Sequence, residues 1–511
     1  MERDLSATDV TEPRVQPSDP DPHAGHIVGR SMLALIGSQV VTTPVSMVVQ
    51  ALIARQLGAG PFGAIYFATA TLGVWYLFVE WGGHAQVAAE VARDRRAGGR
   101  LFASGMLLRM LFVALVLIAI PPFARFMGYD DTVRLALSLL SVKLALQGLG
   151  ALCLAVVRGF EKVHWQAGST IFGNLLEAAL VVLALWRGGG LHDVLMAQVV
   201  ATGVTLAVQV GMVGRLQLGA WRPDWLTAWT ILRGGFSFLM LDIVVRLQPF
   251  VDATFLSQLA PAEALGWHGA ASRIVGVLVF PALTLNFALY PTLARLWTSD
   301  RPTYNSLVRL GLRTVALVGV LAGTGTALFG PWAVSWIYGN DDYAPAGVTL
   351  SVMSVFIVLV YASIILGPAI AAAGRQWRWC AAQSLCLVVS ALLDPVLIPW
   401  AQRVYGNGSL GVGIAVGVAE VAMVTFGMLI LPHGILNRAL GRTVLRCGLA
   451  AAGAALVTLP LLTVPLMAVV ATVVVYVGLL RVQGELDADL LLLAPAWLGN
   501  AVRPWLGKTP S

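Results

Sequence analysis

The sequence predicts an all-α polytopic membrane protein of about fourteen transmembrane helices, and three observations predict it. The 511-residue chain is 58% hydrophobic and only 12% charged, about half the charged share of a soluble domain. Its mean hydropathy is +0.80. The apolar runs are long and continuous, as from Val464 to Leu480, where a β-barrel would show short alternating strands. Lipid offers the backbone no hydrogen-bond partner, so apolar runs of about 17–25 residues become helices.

Residues 1–29 are polar and acidic, with Pro13, Pro17, Pro20 and Pro22. They lack the basic start and apolar stretch of a signal peptide and read as a disordered cytoplasmic tail. The spans then follow at 31–54, 62–81, 101–123, 133–157, 164–186, 192–214, 234–258, 264–293, 310–332, 345–373, 378–400, 409–432, 443–462 and 464–481, each bounded by charged or Gly/Pro punctuation. The last segment, 483–511, carries Leu490 to Leu493, Trp497 and Trp505 and suits a cytoplasmic or interfacial tail.

Basic residues orient this map. The connections after spans 2, 4, 6, 8, 10 and 12 hold seventeen, and the seven alternate connections hold five (Arg55, Arg125, Arg134, Arg187 and Arg403). The positive-inside rule makes the rich set cytoplasmic, and both termini with it. The net charge of +7 is then spent on orientation, so no nucleic-acid partner is expected.

A repeat divides the spans. Phe62-Gly63-Ala64 matches Leu265-Gly266-Trp267 at an offset of 203, Leu108-Arg109 matches Leu312-Arg313 at 204, and Pro44 matches Pro249 at 205. Two six-helix bundles, 30–220 and 230–432, are expected, with two additional helices at 443–482. Six is even, so both halves insert in the same sense. Such parallel repeats occur in transporters whose substrate site lies between the halves near midplane. Pro44 and Pro249 remove a hydrogen bond at corresponding positions and are candidate gating kinks.

No catalytic constellation emerges, and no enzyme activity is expected. The seven histidines are scattered, without zinc spacing, a P-loop or a nucleophile elbow. Cys153, Cys380, Cys386 and Cys447 sit in or beside apolar segments and read as small buried hydrophobes rather than metal ligands or disulfides. Gly411 to Gly417 reads as helix packing, and Asn407-Gly408-Ser409 as an accidental sequon. The longest connections are about 20 residues on the span map, too short for a soluble catalytic domain. No cofactor is expected beyond an H⁺ or Na⁺ gradient.

The informative residues are charges inside spans, each costing at least about 2.5–3.5 kcal/mol at midplane. At about 1.5 Å per residue, Lys143, Arg246 and Arg273 lie near midplane. They read either as a cationic lining for an anionic group such as phosphate or as internal ion pairs, Asp242 standing one turn before Arg246. Arg109 and Arg313 lie shallower and are expected to snorkel to headgroups. Glu177, Asp394 and Glu420 are deep; they are candidates for ion coupling or for pairing with the bases. Asp252 is a candidate for an external gate, and Glu80 is expected near the cytoplasmic interface.

Several segments resemble Wzx-type oligosaccharide flippases of the multidrug/oligosaccharidyl-lipid/polysaccharide superfamily. They are Ala54-Arg55-Gln56-Leu57-Gly58 with Phe62-Gly63-Ala64-Ile65-Tyr66, Val91-Ala92-Arg93-Asp94, Arg158-Gly159-Phe160, Asp252, Gly266 with Ala270-Ala271-Ser272-Arg273, and Pro291-Thr292-Leu293-Ala294-Arg295. The resemblance runs from about residue 30 to 432, and order and spacing carry it. It implies a V-shaped fourteen-helix transporter in the bacterial inner membrane. Its cargo would be undecaprenyl-diphosphate-linked oligosaccharide for polysaccharide such as O-antigen or exopolysaccharide, and its partners membrane lipids and a polysaccharide polymerase or other assembly proteins. The diphosphate would meet cavity cations, with Arg273 carried over in a matching segment. A lipid II flippase and a drug/cation antiporter are the alternatives. The antiporter would be expected to show an acid in the first helix, and Leu33 to Ala54 contains none.

Overall fold

The computed structural model describes residues 22–486 except Gly82 and Asn340, leaving aside the side chains of 22–36, 85, 237, 238, 240–242, 287 and 288. The first 21 residues and the tail with Leu490–Leu493, Trp497 and Trp505 therefore lie outside the described residues. Among those described there are helices and no strands. In chain order they are α1 (Pro22–Leu57), α2 (Ala59–Glu80), α3 (Gly83–Arg93), α4 (Gly98–Phe126), α5 (Asp131–Gly159), α6 (Val163–Trp186), α7 (Leu191–Gly214) and α8 (Trp225–Leu259). They continue as α9 (Ala262–Ser299), α10 (Arg301–Tyr338), α11 (Ala344–Val352), α12 (Ser354–Ala372), α13 (Gln376–Tyr405), α14 (Gly408–Ile430), α15 (Arg438–Thr458) and α16 (Pro465–Val482).

Thirteen of these helices are long and apolar enough to cross a membrane, and α8 occupies the remaining expected span. Three details differ from the expectation. α1 already runs at Pro22, inside the segment expected as tail. The connection after α2 is itself helical, as α3. The span at 345–373 is two helices, α11 and α12, parted at Met353. Pro44 and Pro249 lie inside the continuous helices α1 and α8.

Local chemistry sets many of the helix ends. Asp130, Asp224, Asp300 and Asn437 accept hydrogen bonds from backbone N–H groups of the first turn of α5, α8, α10 and α15. Hydrogen bonds from the Thr227 and Thr303 side chains and amides hold the Asp224 and Asp300 carboxyls below the usual aspartate value. Gly339 and Gly406 close α10 and α13 in the left-handed region, which costs glycine little.

α1, α2 and α4–α7 pack among themselves, as do α9–α14. α8 runs from one set to the other, touching α2, α3 and α4 and also α13. Near its start, Trp81 Nε1 donates to the Leu232 carbonyl at 2.8 Å. α15 and α16 pack on each other and on α10.

The two sets are sealed at the arginine-poor end. Gly63 and Gly266, the repeat-related glycines, meet there. A Cβ on Gly63 would lie 2.7 Å from the Gly266 nitrogen, and one on Gly266 2.1 Å from the Ala59 carbonyl oxygen. Only glycine permits this approach. Arg55 donates to the Trp336 and Ile337 carbonyls at 2.6 and 2.8 Å, a cation on the C-terminus of α10. Tyr343 donates to the Ala54 carbonyl at 3.2 Å, and the Tyr338 and Tyr343 rings stack with centroids 5.1 Å apart.

Candidate functional site

Between the two sets, α2, α8, α9, α12, α13 and α14 enclose a cavity of about 1000 Å³. A broken stack of side chains, not a single motif, supplies its chemistry. Arg246, Gln248, Pro249 and Asp252 reach it from α8; His268, Ser272 and Arg273 from α9; Glu420 from α14. Helical spacing explains the recurrence, since residues three and four apart share a face.

Two cations line this space. Arg246 lies 4.0 Å from Glu80 Oε2, the limit of an ion pair, and 5.4 Å over the Tyr76 ring. Arg273 forms no ion pair among the described residues and lies near Tyr66. The Asp242 side chain, the alternative partner for Arg246, lies outside the described residues. Glu80 is only 11% exposed and also meets the His84 imidazole. It is an internal counter-charge rather than an interfacial acid.

Asp252 and Glu420 line the same cavity. Asp252 is buried and accepts from Ser390 Oγ at 3.0 Å. Asp394, one turn after Ser390 on α13, is fully buried beside Asp252, and neither of its oxygens has a hydrogen-bond partner. Two adjacent buried carboxylates repel each other, and a proton or cation shared between them relieves that repulsion. Glu420 is buried and accepts from Ser363 Oγ. Among the described residues, none of these three acids has a basic partner.

Lys143 is not brought to this cavity. Its Nζ donates to Glu177 Oε1 at 2.7 Å and to Gln198 Oε1 at 2.8 Å, so of its two readings the geometry supplies the internal ion pair. Glu177 borders a second cavity, of about 240 Å³, between α5, α6 and α7. Arg109 does not snorkel: it is 4% exposed and donates to the Gly148 carbonyl. Arg313 does not snorkel either, because Glu485 lies 3.2 Å away. In both cases a nearby acceptor inside the protein competes with the headgroups. Asn407 is buried and donates to the Pro345 carbonyl at 3.0 Å, which closes the sequon to glycosylation.

Sequence reasoning passed over Tyr66, His268 and Ser390. His268 is buried with Nδ1 unpartnered, its ring edge-on to Tyr66 with centroids 5.6 Å apart. Neutral polar residues carry a smaller insertion penalty than charges, so they stand out less in the chain. Ser390 had one usable signal, its position four residues before Asp394.

A family described as "Polysaccharide biosynthesis protein" matches residues 28–297. The chain is 26% identical over 449 residues to the EPS I polysaccharide export inner membrane protein EpsE of Ralstonia nicotianae, covering 82% of this chain and 97% of that protein. It is 20% identical over 358 residues to the probable low-salt glycan biosynthesis flippase Agl15 of Haloferax volcanii, covering 68% and 72%. The fold is similar to that of the lipid II flippase MurJ in an inward closed conformation, with a TM-score of 0.72, 13% identity, and 89% and 98% of the two chains covered.

Proposed function

The chain belongs to the polysaccharide biosynthesis protein family, and we propose that it is a flippase for undecaprenyl-diphosphate-linked oligosaccharide, working by alternating access in the bacterial inner membrane. The observation that carries this reading is the cavity between the halves, closed at the arginine-poor end, with Arg246 and Arg273 facing it. A diphosphate needs charge-assisted donors, and among the described residues Arg273 forms no ion pair with an acid. With the arginine-rich face cytoplasmic, the closed end is the periplasmic one, so cargo loads from the cytoplasmic leaflet. The prenyl chain stays in lipid. The names of EpsE and Agl15, an export protein for polysaccharide and a probable flippase for glycan, support the same cargo class. We place the protein among non-catalytic transporters, with both termini cytoplasmic and a polymerase or other assembly proteins as its partners.

Coupling to an H⁺ or Na⁺ gradient falls to Asp252 and Asp394, with Ser390 as a third oxygen. A proton or a sodium ion between two facing carboxyls would satisfy both. Glu420 is a second candidate, and Glu177 is spent on Lys143. A lipid II flippase remains the close variant, since its cargo carries the same diphosphate.

The test is Arg273→Ala and Arg246→Ala in a strain that depends on this gene. Surface glycan is expected to fall at least about tenfold, with lipid-linked precursor accumulating in the cytoplasmic leaflet. Normal export by both variants would remove the diphosphate site.

A further inference from the structure

We propose that the second cavity, inside the first half of the protein, is a subsite for an uncharged sugar ring of the cargo; this rests on the flippase reading above. α5 and α6 each pack along α7 and touch one another little, leaving a groove with α7 as its floor. The cavity of about 240 Å³ is far larger than one water requires, whose share of the liquid is about 30 Å³. It extends from Glu177, deep in α6, toward the arginine-rich ends of α6 and α7, where Ser169 and Gln209 line it. On the side away from α7 the flanking helices are α1, beside α6, and α2, beside α5. α2 also borders the central cavity.

The lining selects by hydrogen bonding rather than by charge. Gln147, Asn174, Thr202 and Thr205 bring two carboxamides and two hydroxyls to a depth where lipid-facing polar groups are costly. Half of their protons are committed. The Thr202 and Thr205 hydroxyls donate to the Gln198 and Ala201 carbonyls, each at 2.8 Å, and Asn174 Nδ2 donates to the Thr170 carbonyl at 2.8 Å. What remains is mixed: the Gln147 carboxamide and the second Asn174 N–H can donate, and the threonine oxygens, the Asn174 Oδ1 and the second oxygen of Glu177 can accept.

A neutral surface that both donates and accepts suits the hydroxyls of a sugar ring, which do both. The Lys143 charge is cancelled by Glu177 at 2.7 Å, so the site keeps no net charge for an anionic sugar or a free cation. Gly150 and Gly173 let α7 come close enough to form the floor. A Cβ on Gly173 would stand 2.9 Å from the Thr205 side chain, and one on Gly150 2.1 Å from Gln209 Oε1. The molecule thus separates two recognition tasks, diphosphate between the halves and neutral glycan within the first.

The experiment uses the full chain in nanodiscs and two probes: undecaprenyl diphosphate without glycan, and lipid-linked oligosaccharide extracted from a producing strain. Asn174→Leu and Thr202→Val are expected to weaken binding of the glycosylated lipid by about tenfold. Their affinity for undecaprenyl diphosphate is expected to match wild type, which also reports that they are folded. Thr202→Ser keeps the hydroxyl and is expected to bind both probes normally. Unchanged affinity for the glycosylated lipid, or equal weakening for both probes, overturns the subsite. An Arg273→Ala protein that binds both probes as tightly as wild type overturns the diphosphate reading instead, and the subsite is then decided by the affinity of Asn174→Leu and Thr202→Val for the glycosylated lipid.

Discussion

The two halves of the protein carry related segments but treat buried charge in opposite ways. In the first half each deep charge has an internal partner. Lys143 is paired with Glu177, Glu80 faces His84 and Arg246, and Arg109 is held on the Gly148 carbonyl. In the second half Asp252, Asp394 and Glu420 have only hydroxyl donors or nothing. A charge that is paired in a low-dielectric interior serves architecture, while one kept there unpaired weakens the fold and persists for use. Among the described residues, the first half thus holds its deep charges in contacts with other protein groups, while the second half buries three acids without a basic partner.

This contrast can be broken most directly at Lys143. Lys143→Met would strand the Glu177 carboxylate and is expected to destabilise the protein by about 2 kcal/mol, read as a lower unfolding temperature in nanodiscs. Adding Glu177→Gln is expected to restore most of that loss. A single variant as stable as wild type would dissolve the distinction between the halves.

Asp394→Asn should do the reverse. Stability is expected to stay within about 1 kcal/mol of wild type or to rise, because a neutral amide replaces a carboxyl without a partner. Transport is expected to lose its dependence on the H⁺ or Na⁺ gradient. Transport by Asp394→Asn with an unaltered ion requirement would assign coupling elsewhere, with Glu420 next to be mutated.

The smallest effect is expected at the repeat-related arginines. Arg109 finds its acceptor within its own half, but Arg313 reaches Glu485, a residue beyond the repeat. Glu485 also accepts from Arg446 Nη1 and Thr443 Oγ1, each at 2.7 Å, and so ties α15 and α16 to α10. Burial opposes its charged form, yet the hydrogen bonds from Arg446 and Thr443 and the charges of Arg313 and Arg446 outweigh burial and hold its carboxyl below the usual glutamate value. A group with a lowered native value stabilises above its unfolded value and loses that contribution as pH falls through the native one. The docking of α15 and α16 is therefore expected to loosen only below the ordinary glutamate range, as increased hydrogen exchange in α16. Glu485→Gln is expected to show that exchange at neutral pH and to remove the pH dependence.

Much of this was legible in the chain and some was not. The Gly63 and Gly266 segments were visible as a repeat, but not that the two glycines touch each other across the closed end. Arg246 and Arg273 were singled out by depth, and they do line one cavity. Lys143 was singled out by the same criterion and lies in another place, because depth along a helix says nothing about which way the side chain turns. Arg109 and Arg313 looked shallow enough to reach headgroups, and each met a protein acceptor first.

By itself the sequence determined that the chain is helical and membrane-spanning, and where each span falls. Those properties follow from hydropathy along a line, which needs no knowledge of neighbours. Only the tertiary structure decided which charges are neutralised. Lys143 and Glu177 come from different helices, Asp252 and Ser390 are 138 residues apart, and Arg55 caps a helix that ends 283 residues later at Tyr338. An ion pair or an empty carboxyl is a property of distance in space, and helix packing sets that distance.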